Sequence, residues 1–312
     1  MTQINASMVK DLREKTGAGM MDCKSALESA GNMEGAIKIL REKGLARAAK
    51  KTSRVAAEGL IGIKVGAGKA SMVELNCETD FVARNDDFKH LLNDLASCAF
   101  NFNGDMGSDR TEIDGQKLDN AVMPNGQSVT SLITDKVAVI GEKIALRRFA
   151  QLSGGDLYGS YLHGAGSIGV LVELKLNDKN LSSKPGLEQA ARDIAMHIAA
   201  ANPSFIAEND IPSSWINSER DIFRAQVLAS GKPENMVDKI VDGKMSKHKK
   251  DFCLLEQPFV KNPDQSVQAM LNDLQKSTGA LITVTKFARF KVGEGIEKKE
   301  DNLMEEVKKM TA

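Results

Sequence analysis

The chain has 312 residues, room for two or three domains that each bury a core. Lys plus Arg and Asp plus Glu both number 42, so no net field draws the chain towards nucleic acid or a membrane surface. Aromatic residues make up 4%, too few for a platform that stacks single-stranded bases.

The first fifty residues carry three apolar stripes at helical spacing: Met8, Val9 and Leu12; Met20, Cys23 and Leu27; Met33, Ile37 and Leu40. Gly17, Gly19 and Gly31 punctuate them, and Gly44 stands where a C-cap would close the third short helix. The basic run "KGLARAAKKTSR" (43–54) then reads as a solvated helix end leading into a linker, with a face for an acidic partner as the alternative.

Residues 59–76 alternate as a β-hairpin turning at "GAGK", and a helix follows with Phe88, Leu91, Leu92, Leu95 and Ala99 on one face. The polar stretch 101–127 has few apolar anchors and reads as a surface excursion. Val129, Leu132, Ile133, Val137 and Ile140 predict a further helix, and "KIALRRFAQL" a strand.

The hairpin then recurs. "GLIGIKVGAGKASMVELNC" is echoed by "DLYGSYLHGAGSIGVLVELKL" at 156–176, and a helix bearing Leu187, Ala190, Ala191, Ile194 and Ile198 follows. Two related halves of one α+β core account for this. Residues 213–250 read as a helical hairpin inserted into the second half, which resumes at 252–292. Near the C-terminus Leu303, Val307 and Met310 form a stripe so narrow that it suggests docking on a partner.

Sequence motifs for chemistry fail in detail. "GAGKAS" lacks the upstream Gly and the Ser or Thr that a phosphate-binding loop requires. "GAGSIG" has dinucleotide-fingerprint spacing but leads into a strand, so no helix N-terminus meets a pyrophosphate. His90, His163, His197 and His248 are unpaired at metal spacing, and the four cysteines are far apart. The expectation is a reduced, cytoplasmic protein with no catalytic residues, metal, cofactor or nucleotide site, and no membrane or nucleic-acid partner. The start "MTQINASMVKDLREK" has no apolar signal core.

One stretch stands out: "VELNCETDFVARNDD" (73–87) ends a buried strand with Asp80 beside Phe81. Phe81 either tucks into the core while Asp80 caps a turn, or the pair is displayed to something outside.

"LREKTGAGMMDCKSAL" (12–27) and "ELNCETDFVAR" (74–84) resemble the two signature segments of the bacterial elongation factor Ts family, exchange factors of the GTPase elongation factor Tu. The likeness continues through "GSYLHGAGSIGVLVE", "DIAMHIAAANPSFI", "ASGKPENMVDKIVDGKM", "QPFV" and "KVGEGIEK". Residues 101–127 depart from it, being longer than the family usually has there.

The resemblance implies a ubiquitin-associated-like three-helix domain with its linker (1–54) and a core of two subdomains (55–153; 154–206 plus 252–292). An inserted coiled-coil hairpin (207–251) and a C-terminal module (293–312) complete the layout. It implies elongation factor Tu as partner, with Thr79, Asp80, Phe81 and Val82 as the element that dislodges its Mg²⁺. Arg13, Met20, Met21 and His163 are implied as further contacts. A scaffold or RNA-binding role through 43–54 is the alternative function, and self-association through the hairpin is left open.

Overall fold

A computed structural model describes residues 4–104 and 112–297. The stripe of Leu303, Val307 and Met310 lies outside the described residues.

Three helices open the chain: α1 (Ala6–Thr16), α2 (Met20–Ala30) and α3 (Met33–Lys51). Gly17 and Gly31 close the first two in the left-handed region, and Asn5 and Asn32 cap α1 and α3 with their side chains. Val9, Leu12, Cys23, Ala26, Leu27 and Ala36 form the small core they share.

Three expectations change here. Met20 faces solvent, at 52% exposure, and Ala26 takes the inward place beside Cys23 and Leu27. Gly44 is interior to α3, which runs 19 residues, about 28 Å at 1.5 Å per residue. The basic run is therefore mostly helix, and only residues 52–54 form the turn into the core.

The first half is a hairpin of β1 (Glu58–Gly66) and β2 (Lys69–Cys77), a short helix α4 (Asp80–Arg84) and a long one, α5 (Asp86–Asn101). The two-residue β3 (Ile113–Asp114), α6 (Val129–Ile140) and β4 (Ile144–Ser153) complete it. Its sheet has the order β1-β2-β4-β3, every pair antiparallel. Phe88, Leu91, Leu95 and Ala99 of α5 bury against Val73, Leu75 and Cys77, alternate residues of β2, as period 2 requires.

The polar stretch 101–127 is better anchored than its composition suggests. Ile113, Leu118 and Met123 are buried in this same core, and Phe102 packs edge-on against Phe149.

The second half repeats the plan. β5 (Leu157–His163) and β6 (Ile168–Leu176) form the hairpin and α7 (Leu187–Ala201) covers it, with all five anticipated side chains buried. Helices α8 (Ser213–Ala229) and α9 (Glu234–Phe252) make the inserted hairpin around Val227, Val237, Val241 and Met245. The chain returns through β7 (Pro258–Phe259), β8 (Asn262–Ser266), α10 (Val267–Thr278) and β9 (Ile282–Lys291), giving a second sheet of order β5-β6-β9.

The two sheets pack on each other through Ile61, Ala70, Met72, Ala150, Leu152, Leu171, Ala288 and Phe290, so the core is layered helix, sheet, sheet, helix. The repeat extends to irregularities: the β2–β4 register slips after Glu74, and the β6–β9 register slips after Glu173. Both glutamates are buried.

Candidate functional site

The turn after β2 is fixed from both ends. Thr79 is the N-cap of α4, and its hydroxyl accepts from the Val82 amide at 3.4 Å. The same hydroxyl donates to Glu142 Oε1 at 2.7 Å, while the Thr79 amide donates to Glu142 Oε2 at 3.0 Å. One carboxylate thus holds both polar groups of the capping residue, charge-assisted in each case.

The neighbouring Glu78 accepts from the Lys143 amide at 2.6 Å and from Arg54 at 2.9 Å. Burial would raise its pKa, but these two donors outweigh burial and hold the carboxyl below its ordinary value. Lys143 Nζ returns to the carbonyls of Thr52 and Arg54.

On this base α4 turns inside to outside within five residues. Ala83 is buried and Val82 packs partly against the first core, whereas Phe81 is 79% exposed. Asp80, in the first turn, pairs with Arg84 at 2.8 Å, an i,i+4 pair open to solvent. Asn85 then caps α5 by accepting from Asp87. Sequence left Phe81 as core or displayed; in the fold it is displayed.

The other anticipated residues lie on different elements. Arg13 is exposed on α1, and Met21 at the start of α2 is 74% exposed. His163 is exposed where β5 ends, 3.4 Å from the Tyr161 hydroxyl, and Ala165 beside it holds a left-handed φ of 57° in the turn. "GAGSIG" is the β5–β6 turn and "GAGK" the β1–β2 turn.

Glu142 and Lys143 support the turn yet carried no signal for it in the sequence, and Arg54 stood out only as the end of the basic run. Glu142 lies 63 residues from Thr79, and a lone glutamate after a helix-capping glycine resembles any surface acid.

Elsewhere reactive groups are quiet. Burial, then the charges of Glu142 and Glu58, pushes the Cys77 thiol up to about 12, far from thiolate. His197 is buried between the Gln257 oxygen at Nε2, 3.0 Å away, and the Val260 amide at Nδ1, 3.2 Å away. Among the described residues all four cysteines are free and no group of acids, His and Cys has the makings of a metal site. Among them also, no helix is long and apolar enough to cross a membrane.

A duplicated hairpin-and-helix core with a braced, outward-facing aromatic on the turn after β2 defines an α+β class. Comparison with known proteins narrows the class: the family model "Elongation factor TS" matches residues 78–294. A protein of Clostridium perfringens (strain SM101 / Type A) described as elongation factor Ts is 47% identical over 311 residues, covering 98% of this chain and 99% of its own. One of the same description from Clostridioides difficile (strain 630) is 45% identical over 312 residues, with 99% of each chain covered. The chain belongs to the elongation factor Ts family.

Proposed function

We propose that this protein is the guanine-nucleotide exchange factor of elongation factor Tu, and that the turn Thr79–Val82 is the element that loosens GDP. A GTPase of that class holds GDP by phosphate-loop amides, a lysine and a Mg²⁺ bridging phosphate oxygens. An exchange factor binds more tightly to the form in which those contacts are distorted, and by linkage GDP weakens its binding equally. A coupling of about 4 kcal/mol corresponds to roughly a thousandfold in GDP affinity.

The observation that carries the reading is Phe81: a large ring at 79% exposure on a helix too well tethered to fold it inward. Burying that ring between partner helices is worth about 1.5–3 kcal/mol, and it is gained only in the distorted state. Asp80 is placed beside it to disturb the water shell of the metal, after parting from Arg84. Thr79 and Val82 set the turn, the one by capping and the other by packing. Arg13, Met20 and Met21 grip the GTPase domain, and His163 touches another domain of the partner. Arg54, in the basic run, is engaged within the chain by Glu78, which does not favour the RNA-binding alternative.

The test is release of labelled GDP from elongation factor Tu with Phe81→Ala and Asp80→Ala, alongside the melting midpoint of each preparation. Phe81→Ala is expected to slow stimulated release by about tenfold to a hundredfold, the equivalent of about 1.5–3 kcal/mol. Its midpoint should stay unchanged, since an exposed side chain adds within about 0.5 kcal/mol to stability. The Asp80→Ala deficit should shrink when Mg²⁺ is chelated. Normal release by a folded Phe81→Ala protein would remove the wedge from the mechanism.

A further inference from the structure

Apart from His163, the residues proposed to meet the partner sit on two units, the N-terminal helices and the α4 turn. The end of helix α6 and the residues just after it touch both. Gly44 of α3 is buried against it, and a Cβ there would stand 2.8 Å from the Ala138 Cβ, closer than real side chains approach. The two helices therefore cross with the Ala138 methyl directly on the Gly44 backbone.

Val139, the next residue, lies over Gly17, the cap of α1, where a Cβ would come within 3.2 Å of its Cγ2. Gly141 caps α6 in the left-handed region, and Lys51 at the end of α3 donates to its carbonyl. A cation at that helix end also meets the negative pole of the dipole. Glu142 then takes both donors of Thr79, and Lys143 binds the Thr52 and Arg54 carbonyls. One short run, 138–143, thus holds α3, the cap of α1 and the turn that projects Phe81.

We propose that this end of α6 is a bracket that sets the N-terminal helices and the Phe81 turn at a fixed spacing, making Gly44, Ala138 and Glu142 positioning residues for exchange. The inference rests on the exchange reading above. Two patches carried on one rigid body engage a partner as a single event, whereas patches on loosely joined units lose that effective concentration.

The experiment uses the full chain with Gly44→Ala, Ala138→Gly and the pair together. Gly44→Ala adds a methyl where the crossing has no room, although alanine is the better helix former. The double variant moves the methyl across the interface and restores the volume. Amide relaxation of the free protein should give one tumbling time for the wild type and the double variant, and a separate, faster one for the N-terminal helices in Gly44→Ala. Stimulated GDP release by Gly44→Ala should lose about tenfold in kcat/KM, mainly through KM, within the range usual for coupled sites. The double variant should recover it, and a merely local loss of stability would not follow the methyl in this way. Glu142→Ala should instead lower kcat, because it frees the turn and leaves the N-terminal helices seated. Unchanged tumbling in Gly44→Ala, or altered tumbling with wild-type kcat/KM, would overturn the bracket. If the wild type itself released no GDP, the exchange reading would fail, and the tumbling data would still judge the bracket.

Discussion

At the scale of single residues, Thr79 does more than a capping threonine usually does. Thr79→Ala removes the cap and strips Glu142 of one donor, so a loss of about 1 kcal/mol or somewhat more is expected. Thermal melting should show this as a fall of about 2–4 °C for a body of this size. His197 makes a different forecast. Burial lowers its pKa, and the Gln257 hydrogen bond only partly opposes that. The folded chain therefore resists a proton that the unfolded chain accepts below about pH 6.5. Stability should fall as pH drops through that value, with the decline ending below the folded-state pKa; His197→Gln should flatten this segment of the midpoint-against-pH curve. Glu78 acts lower, its contribution being complete above its unfolded value near 4.5 and lost as pH falls through its depressed folded one. Phe81 was legible as one of two alternatives, because an aromatic beside an acid at a strand end serves either role. Glu142 was not legible, because its work depends on a partner 63 residues away.

Among the elements, the stripes that define α5 and α7 were plain in the sequence because each buries a wide face, and every side chain anticipated on those faces is buried. Helix α3 misled because a glycine after an apolar stripe is the usual mark of a helix end. Here Gly44 serves a helix crossing, a use that shows only once α6 is in place. Met20 misled for a related reason: the stripe of α2 continues one turn past the edge of a core that is small. The excursion before α6 teaches the converse. Its apolar residues are sparse, yet Leu118 is fully buried. Leu118→Ala should cost about 2–5 kcal/mol in a denaturant melt, as in any closed core, and a cost under about 1 kcal/mol would show the segment to be a loose surface loop.

Across the whole molecule the duplication reaches into the seam between the sheets. Glu74 accepts from Arg147, Arg148, Asn76 and the Gly293 amide, the last arriving from the chain just beyond β9 of the other half. Glu173 accepts from Thr285 and stands beside the Tyr158 hydroxyl, with one oxygen lacking a hydrogen-bond partner by geometry among the described residues, and Gly155 beyond β4 lies directly against it. The "VEL" echo revealed the pair of strands but not the clasp on Glu74, since the turn at Gly293 that makes it has no counterpart motif beside Glu173. The two glutamates should respond unequally to neutralisation. Glu74→Gln removes the buried counter-charge of Arg148 and leaves it the more exposed Glu112 and Glu294, so it should cost about 1–3 kcal/mol, whereas Glu173→Gln should be neutral or stabilising in urea melts.

The clasp on Glu74 also has a consequence for how the chain is made. Glu74 and Gly293 are separated by 219 residues, so the first half leaves the ribosome long before its last donor exists. At synthesis rates of about 5–20 residues per second, that interval is roughly 10–40 s. Until β6 is made, and in full until β9 is, the seam face of the first sheet, with Ile61, Met72 and Leu152, lacks the second sheet that covers it. The nascent half must wait with an apolar wall open, and maturation ends only when the sequence around Gly293 has been translated and folds back.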